Sequence, residues 1–174
     1  AADGGGHGRG GDVRVDPNGA HAVRALLGFV PRLAGGALDG VLGHTGEELA
    51  ALARDPLGSR CVIDGILDGP VAEPPFSSAT SALFDKLQGR LAPLAADRVG
   101  HHAVRKLFGA LPPARRAELT QELAAASHRL EGCAMGRAVV EACLVREYLE
   151  GESAYHAAVG RMARREGFVD DIVK

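Results

Sequence analysis

No stretch of this chain approaches the run of about 20 apolar residues that a membrane-spanning helix needs, and no secretory signal pattern opens it. Cysteine is scarce. Cys61, Cys133 and Cys143 form neither a Cys-x-x-Cys pair nor an even disulfide framework, and each lies in an apolar helical context, which reads as a buried thiol in a reducing compartment. Net charge is lacking too: 20 Lys and Arg stand against 22 Asp and Glu, for a formal charge of −2. The chain as a whole therefore makes no electrostatic case for a polyanion, and a nucleic-acid site has to be local.

Motifs for enzymatic chemistry are missing as well. There is no G-x-S-x-G, no Walker loop and no H-E-x-x-H, so the chain reads as a non-enzyme without cofactor, small-molecule substrate or membrane partner. The adjacent His101 and His102 invite a metal, but neighbouring helix positions point about 100° apart and no third ligand has suitable spacing. Cys133 and Cys143 have no His or charge beside them to activate a thiolate. Residues 1–12 are half Gly and read as a disordered tail. Its Gly6-His7-Gly8-Arg9-Gly10-Gly11 fits G-x-G-x-x-G without the preceding strand that would give the pattern meaning.

What the chain does have is a recurring phrase: Asp16-Pro17-Asn18-Gly19, Asp55-Pro56-Leu57-Gly58 and Asp97-Arg98-Val99-Gly100, each with a Val four residues after its Gly. The Gly residues lie 39 and 42 apart, and 36 residues further on Gly136 and Val140 make a fourth copy that has lost its Asp. Such a period marks an array of helical repeats, which bury apolar surface between neighbours. Hydrophobic residues at 46% against 24% charged, with Ala, Leu, Arg and Glu between the Gly and Pro clusters, favour helix over strand.

Asp accepts hydrogen bonds from the free amides of a helix start, and Pro suits the first helical position. The phrase is thus a device that opens the second helix of each unit. In the first unit, spacings of three and four among Ala22, Val23, Leu26, Leu27 and Val30 predict a helix closed by Pro31 and Gly35-Gly36. Leu49 to Ala53 predict a short helix before Asp55, and the next runs through Cys61, Val62, Ile66 and Leu67 to Gly69-Pro70. Residues 70–81, rich in Pro and Ser, read as an exposed loop. Leu83 to Ala96, Arg98 to Leu111 and the helix opened by Pro112-Pro113 form the third unit. Met135 to Leu144 and one long charged helix from about Glu147 form the last, whose polar face would cap the array. The expected divisions are 13–46, 47–82, 83–128 and 129–174.

The pattern Leu-Ala-x-Asp-x-x-Gly-x-x-x-Val at Leu52 to Val62 and Leu94 to Val104 resembles the Pumilio repeat. From Leu49 onward the order of units looks like the carboxyl end of the nucleolar protein 9 family, carried by Asp55 to Leu67, by Leu87-Gln88-Gly89, and by Gly136 to Val140 followed by Tyr148, Tyr155 and Arg164. The chain starts with Ala and reads as a fragment of such a protein. The resemblance implies an α-solenoid in the nucleus and nucleolus that binds precursor ribosomal RNA, alongside pre-ribosomal proteins, in small-subunit biogenesis. It also implies base-facing trios just after each motif Gly: Ala20, His21 and Arg24; Ser59, Arg60 and Ile63; His101, His102 and Arg105; Arg137, Ala138 and Glu141. The middle residue of a trio would stack, as Arg or His can, and positions four apart would share one base edge. Ala20 and Ile63 cannot read an edge, so the expectation is backbone or shape recognition through Arg24, Arg60, Arg105 and Arg137. The rival reading is a protein-binding scaffold of the HEAT or armadillo kind, whose repeat lengths overlap these spacings.

Overall fold

The computed structural model describes residues 15–29, 31–70 and 74–172, and among these every regular element is helical. The helices fall into successive tiers. The first contains α1 (Pro17–Phe29) and α2 (Pro31–Leu42); the second α3 (Gly46–Arg54), then α4 (Pro56–Gly58), a π-helical turn (Ser59–Ile63) and α5 (Asp64–Leu67) in one continuous rod, then α6 (Phe76–Leu87). The third comprises α7 (Leu91–Ala95), α8 (Gly100–Ala110) and α9 (Pro113–Ala125), and the last α10 (Ser127–Glu131), α11 (Ala134–Ala142), α12 (Val145–Glu150) and α13 (Glu152–Ile172).

The second helices of the tiers lie side by side: α1 against the π-turn and α5, these against α8, and α8 against α11. The third helices form another layer, with α2 on α6 and α9 on α12. One apolar core threads the stack from Leu27 and Leu38 through Ile66, Leu83 and Leu107 to Leu123, Val139 and Val145. This is the quasi-linear burial expected of a solenoid, in which each tier covers the next. No described helix is long and apolar enough to cross a membrane.

The tiers are also stitched by polar contacts at their joints. Thr45 and Glu48 form a reciprocal capping box at the start of α3, which satisfies amides that the first turn leaves free. At the Leu87-Gln88-Gly89 joint the chain turns through Gly89 at φ +77°, a conformation that favours glycine. The amides of Gly89 and Leu91 then donate to the Glu122 carboxylate of α9, both at 2.9 Å. Arg115 of α9 lies over the Phe84 ring of α6, 4.6 Å from its centroid, and pairs with Asp85.

Four local expectations are corrected. The first helix does stop just before Pro31, at Phe29, but Gly35-Gly36 do not break the chain: Pro31 opens α2 and both glycines lie within it, where the burial of Ala34 and Leu38 outweighs the low helix propensity of glycine. The 70–81 segment is not all loop, because α6 starts at Phe76, whose fully buried ring packs where any Gly69 side chain would stand. Leu83 to Ala96 is split between α6 and α7, which belong to different tiers. The long terminal helix is broken at Gly151, with φ +130°, into α12 and α13. Residues 1–12 and Val30 lie outside the described residues.

Candidate nucleic-acid interface

The recurring phrase does what its chemistry suggests. The amides of Leu57 and Gly58 donate to Asp55 Oδ1 at 2.9 and 2.7 Å, those of Val99 and Gly100 to Asp97 Oδ1 at 2.8 Å each, and that of Gly19 to Asp16 Oδ2 at 2.6 Å. In the copy without Asp, Cys133 takes the place: its Sγ accepts from the Gly136 amide at 3.3 Å. The motif glycines serve a second purpose. A Cβ at Gly58, Gly100 or Gly136 would stand 2.7, 2.9 or 2.3 Å from the carbonyl oxygen of Leu52, Leu94 or Leu130, six residues earlier in each case. Glycine is thus what lets the second helix lie directly on the first, and that contact sets the rotation of everything the second helix presents.

On the outer side of these helices the side chains divide sharply. His21, Arg24, Arg60, His102, Arg105, Arg137 and Glu141 are exposed, His101 and Ala138 are half-buried, and Ala20, Ser59 and Ile63 are buried. The buried members cannot be surface readers of a base edge, Ile63 least of all at 0% exposure.

Two grooves join the exposed cations of successive tiers. One of about 610 Å³ lies between α1 and α5, with Arg24 and Arg60 on its walls and Asp64 and Asp68 in its lining. The other, of about 540 Å³, lies between the π-turn and α8 and is lined by Ser59, Arg60, Asp64, Arg98, His102 and Lys106. Arg60 belongs to both, so Arg24, Arg60 and His102 lie along a single surface. His21 adds a contact between the first tiers, its Nδ1 3.8 Å from Cys61 Sγ. Arg105 acts toward the last tier, where its charge slightly opposes the burial that pushes the Cys143 thiol up to about 12. Such a thiol stays protonated and unreactive at neutral pH. Arg137 donates to the Glu131 carbonyl at 3.1 Å.

The surface carries both signs of charge. Lys106 Nζ bridges Asp64 and Asp68 at 3.0 and 2.9 Å and so ties α8 to α5. Burial lowers its pKa, but the hydrogen bonds and charges of Asp68 and Asp64 prevail and hold it above the usual lysine value. His102 is shifted the other way: burial first, then the neighbouring His101 and Arg105, disfavour its protonated form. The two His rings lie 3.8 Å apart between centroids, and His101 Nδ1 is 3.1 Å from the Asp97 carbonyl oxygen.

Sequence reasoning missed Arg98, Lys106, Asp64 and Asp68. Arg98 stands inside the recurring phrase and Lys106 directly follows a trio member, so their positions held a usable signal. Asp64 was hidden by the π-turn.

The tiers and their linear core define a helical-repeat solenoid. Its sequence over residues 6–138 matches the NOP9-like PUF repeat domain, and the chain belongs to that family. The fold is similar to two solved structures of APUM23, one with GGAUUUGACGG and one with GGAGUUGACGG. Each has a TM-score of 0.72 at 18% identity, covering 84% of this chain and 26% of that one. The chain thus spans about a quarter of APUM23's length. No curated protein matches it in sequence.

Proposed function

We propose that this chain is an RNA-binding segment of a longer PUF-repeat array, acting on precursor ribosomal RNA in the nucleus and nucleolus during small-subunit biogenesis. One observation carries the reading: Arg24, Arg60, Arg98 and His102 line two grooves that meet at Arg60 and cross successive tiers. A row of guanidinium groups crossing successive tiers suits the phosphates of a single strand, and flat Arg and His side chains among them suit its bases. The NOP9-like membership and the RNA sequences held by APUM23 support the same reading. Arg105 and Arg137 extend the row toward the last tier. With Ala20, Ser59 and Ile63 buried, most of the binding energy comes from the backbone of the RNA and little from base edges. The outer layer of third helices is left for pre-ribosomal proteins.

Titration of fluorescent single-stranded RNA across a salt series tests this. Affinity falls linearly on a log–log scale, and removing one phosphate contact lowers the slope by about 0.7. Arg60→Glu and Arg105→Glu each weaken binding to all sequences. Binding that ignores both salt and these charge reversals would remove RNA as the ligand.

A further inference from the structure

The π-turn changes which residues the second tier presents. In a regular α-helix the positions i and i+4 share a face; in a π-turn the hydrogen bond closes one residue later, and here the Asp64 amide donates to the Ser59 carbonyl. The burial pattern records the resulting slip. In α8 the residues after Gly100 run Ala103 and Val104 buried, Arg105 exposed, Lys106 half-buried, Leu107 and Phe108 buried. In the second tier Cys61 and Val62 are buried as expected, but Ile63 is buried too, Asp64 and Gly65 are half-buried, and Ile66 and Leu67 form the next buried pair. Ile66 and Leu67 therefore stand one position later after their Gly than Leu107 and Phe108 do. Ile63 is the inserted residue, and Asp64 holds the place that Arg105 holds in α8.

We infer that the π-turn moves the RNA-facing register of the second tier by one residue, so that Asp64 with Arg60 addresses a base there and selects guanine. This rests on the RNA-binding reading above. Asp64 borders both grooves beside Arg60. Its accessible oxygen, Oδ2, is held by Lys106 at 3.0 Å, and the other, Oδ1, is buried without a hydrogen-bond partner, so a base meets this carboxylate by taking the place of Lys106. Lys106 is also bonded to both oxygens of Asp68, at 2.9 and 3.0 Å, so it keeps a counter-ion when a ligand takes Asp64. A carboxylate offers only acceptors. Guanine is the base with two donors side by side, N1–H and the N2 amino group, whereas adenine, cytosine and uracil each set a repelling acceptor next to their donor. Arg60 supplies a planar cation on which the same base can stack.

The test measures binding of the whole chain to short uridine oligonucleotides carrying one guanosine, inosine, adenosine or cytidine. Guanosine binds about tenfold tighter than adenosine or cytidine, and inosine, which lacks the N2 amino group, falls between. Asp64→Asn erases the guanosine preference while binding to plain uridine RNA persists; Asp64→Glu keeps it, and Ile63→Val leaves it unchanged. Salt-sensitive binding that is blind to the central base, or a guanosine preference that survives Asp64→Asn, overturns this inference and leaves the RNA reading standing. No binding to any of the oligonucleotides overturns both.

Discussion

The second helices of the second and third tiers begin alike and part company within one turn. Asp55 and Asp97 each hold two amides of the next three residues, and Gly58 and Gly100 each lie under a leucine carbonyl. Both helices then bury a residue at the third and fourth positions after Gly. There the third tier turns a cation outward at Arg105, while the second inserts Ile63 into the core and presents a carboxylate. The lesson is that the start of a repeat and the register of its outward face are set by different interactions. Capping and glycine contact fix the start; how the core is filled fixes the register.

The sharpest way to break the shared start is to add one methyl group. At Gly136 it would stand 2.3 Å from the Leu130 carbonyl oxygen and 2.7 Å from its Cα, backbone atoms that cannot move aside alone. Gly136→Ala is expected to destabilise by about 3 kcal/mol, read from urea unfolding, with Gly58→Ala close behind. Gly109→Ala, in the same kind of helix but with nothing within 4 Å of the added atom, is expected to stabilise by about 0.5–1 kcal/mol. Equal effects at Gly136 and Gly109 would mean that the glycine contact does not position the helices.

The difference between those two kinds of glycine explains what could be read from the chain. Gly19, Gly58, Gly100 and Gly136 recur with an Asp or Cys three residues before and a Val four after, and that local chemistry gave the helix starts, the period and the all-α solenoid. Gly35, Gly36 and Gly40 look like stronger breaks, yet they lie inside α2, because Ala34 and Leu38 are buried by neighbours distant in sequence. Phe76 stands in a stretch that reads as loop for the same reason. Among the site residues Arg24, Arg60 and His102 were legible from their distance to the motif Gly. Asp64 was not, since counting from Gly58 assumes an α-helical turn. The one available signal was an apolar Ile63 followed by a charge.

The caps give the next largest test. Asp97→Ala removes the acceptor for two amides and is expected to cost about 1 kcal/mol. Cys133 accepts one amide at 3.3 Å through a weak sulfur acceptor. Cys133→Asp would restore the arrangement of the other tiers and is expected to add about 0.5 kcal/mol. Thermal unfolding of the two variants side by side decides whether the fourth copy is a weakened form of the other three.

The smallest expected effect lies at His102, where the second and third tiers share a groove. Burial most of all, then His101 and Arg105 on its own helix and Lys106 one turn on, oppose its protonation, while Asp64 favours it, and the balance holds its pKa below the ordinary imidazole value. Arg60 and Arg98 stand around the same groove. In the free protein the neutral ring is therefore favoured. A phosphate brought into the groove reverses the balance and stabilises the imidazolium, so the bound pKa lies above the free one. Protons are then taken up on binding, and affinity rises as pH falls from the bound value toward the free value. Between about pH 8 and about pH 6 the gain is expected to be about threefold, and His102→Asn should flatten it. A slope that persists in His102→Asn would remove His102 as its source. A slope of opposite sign would place the phosphates away from the groove that joins the two tiers.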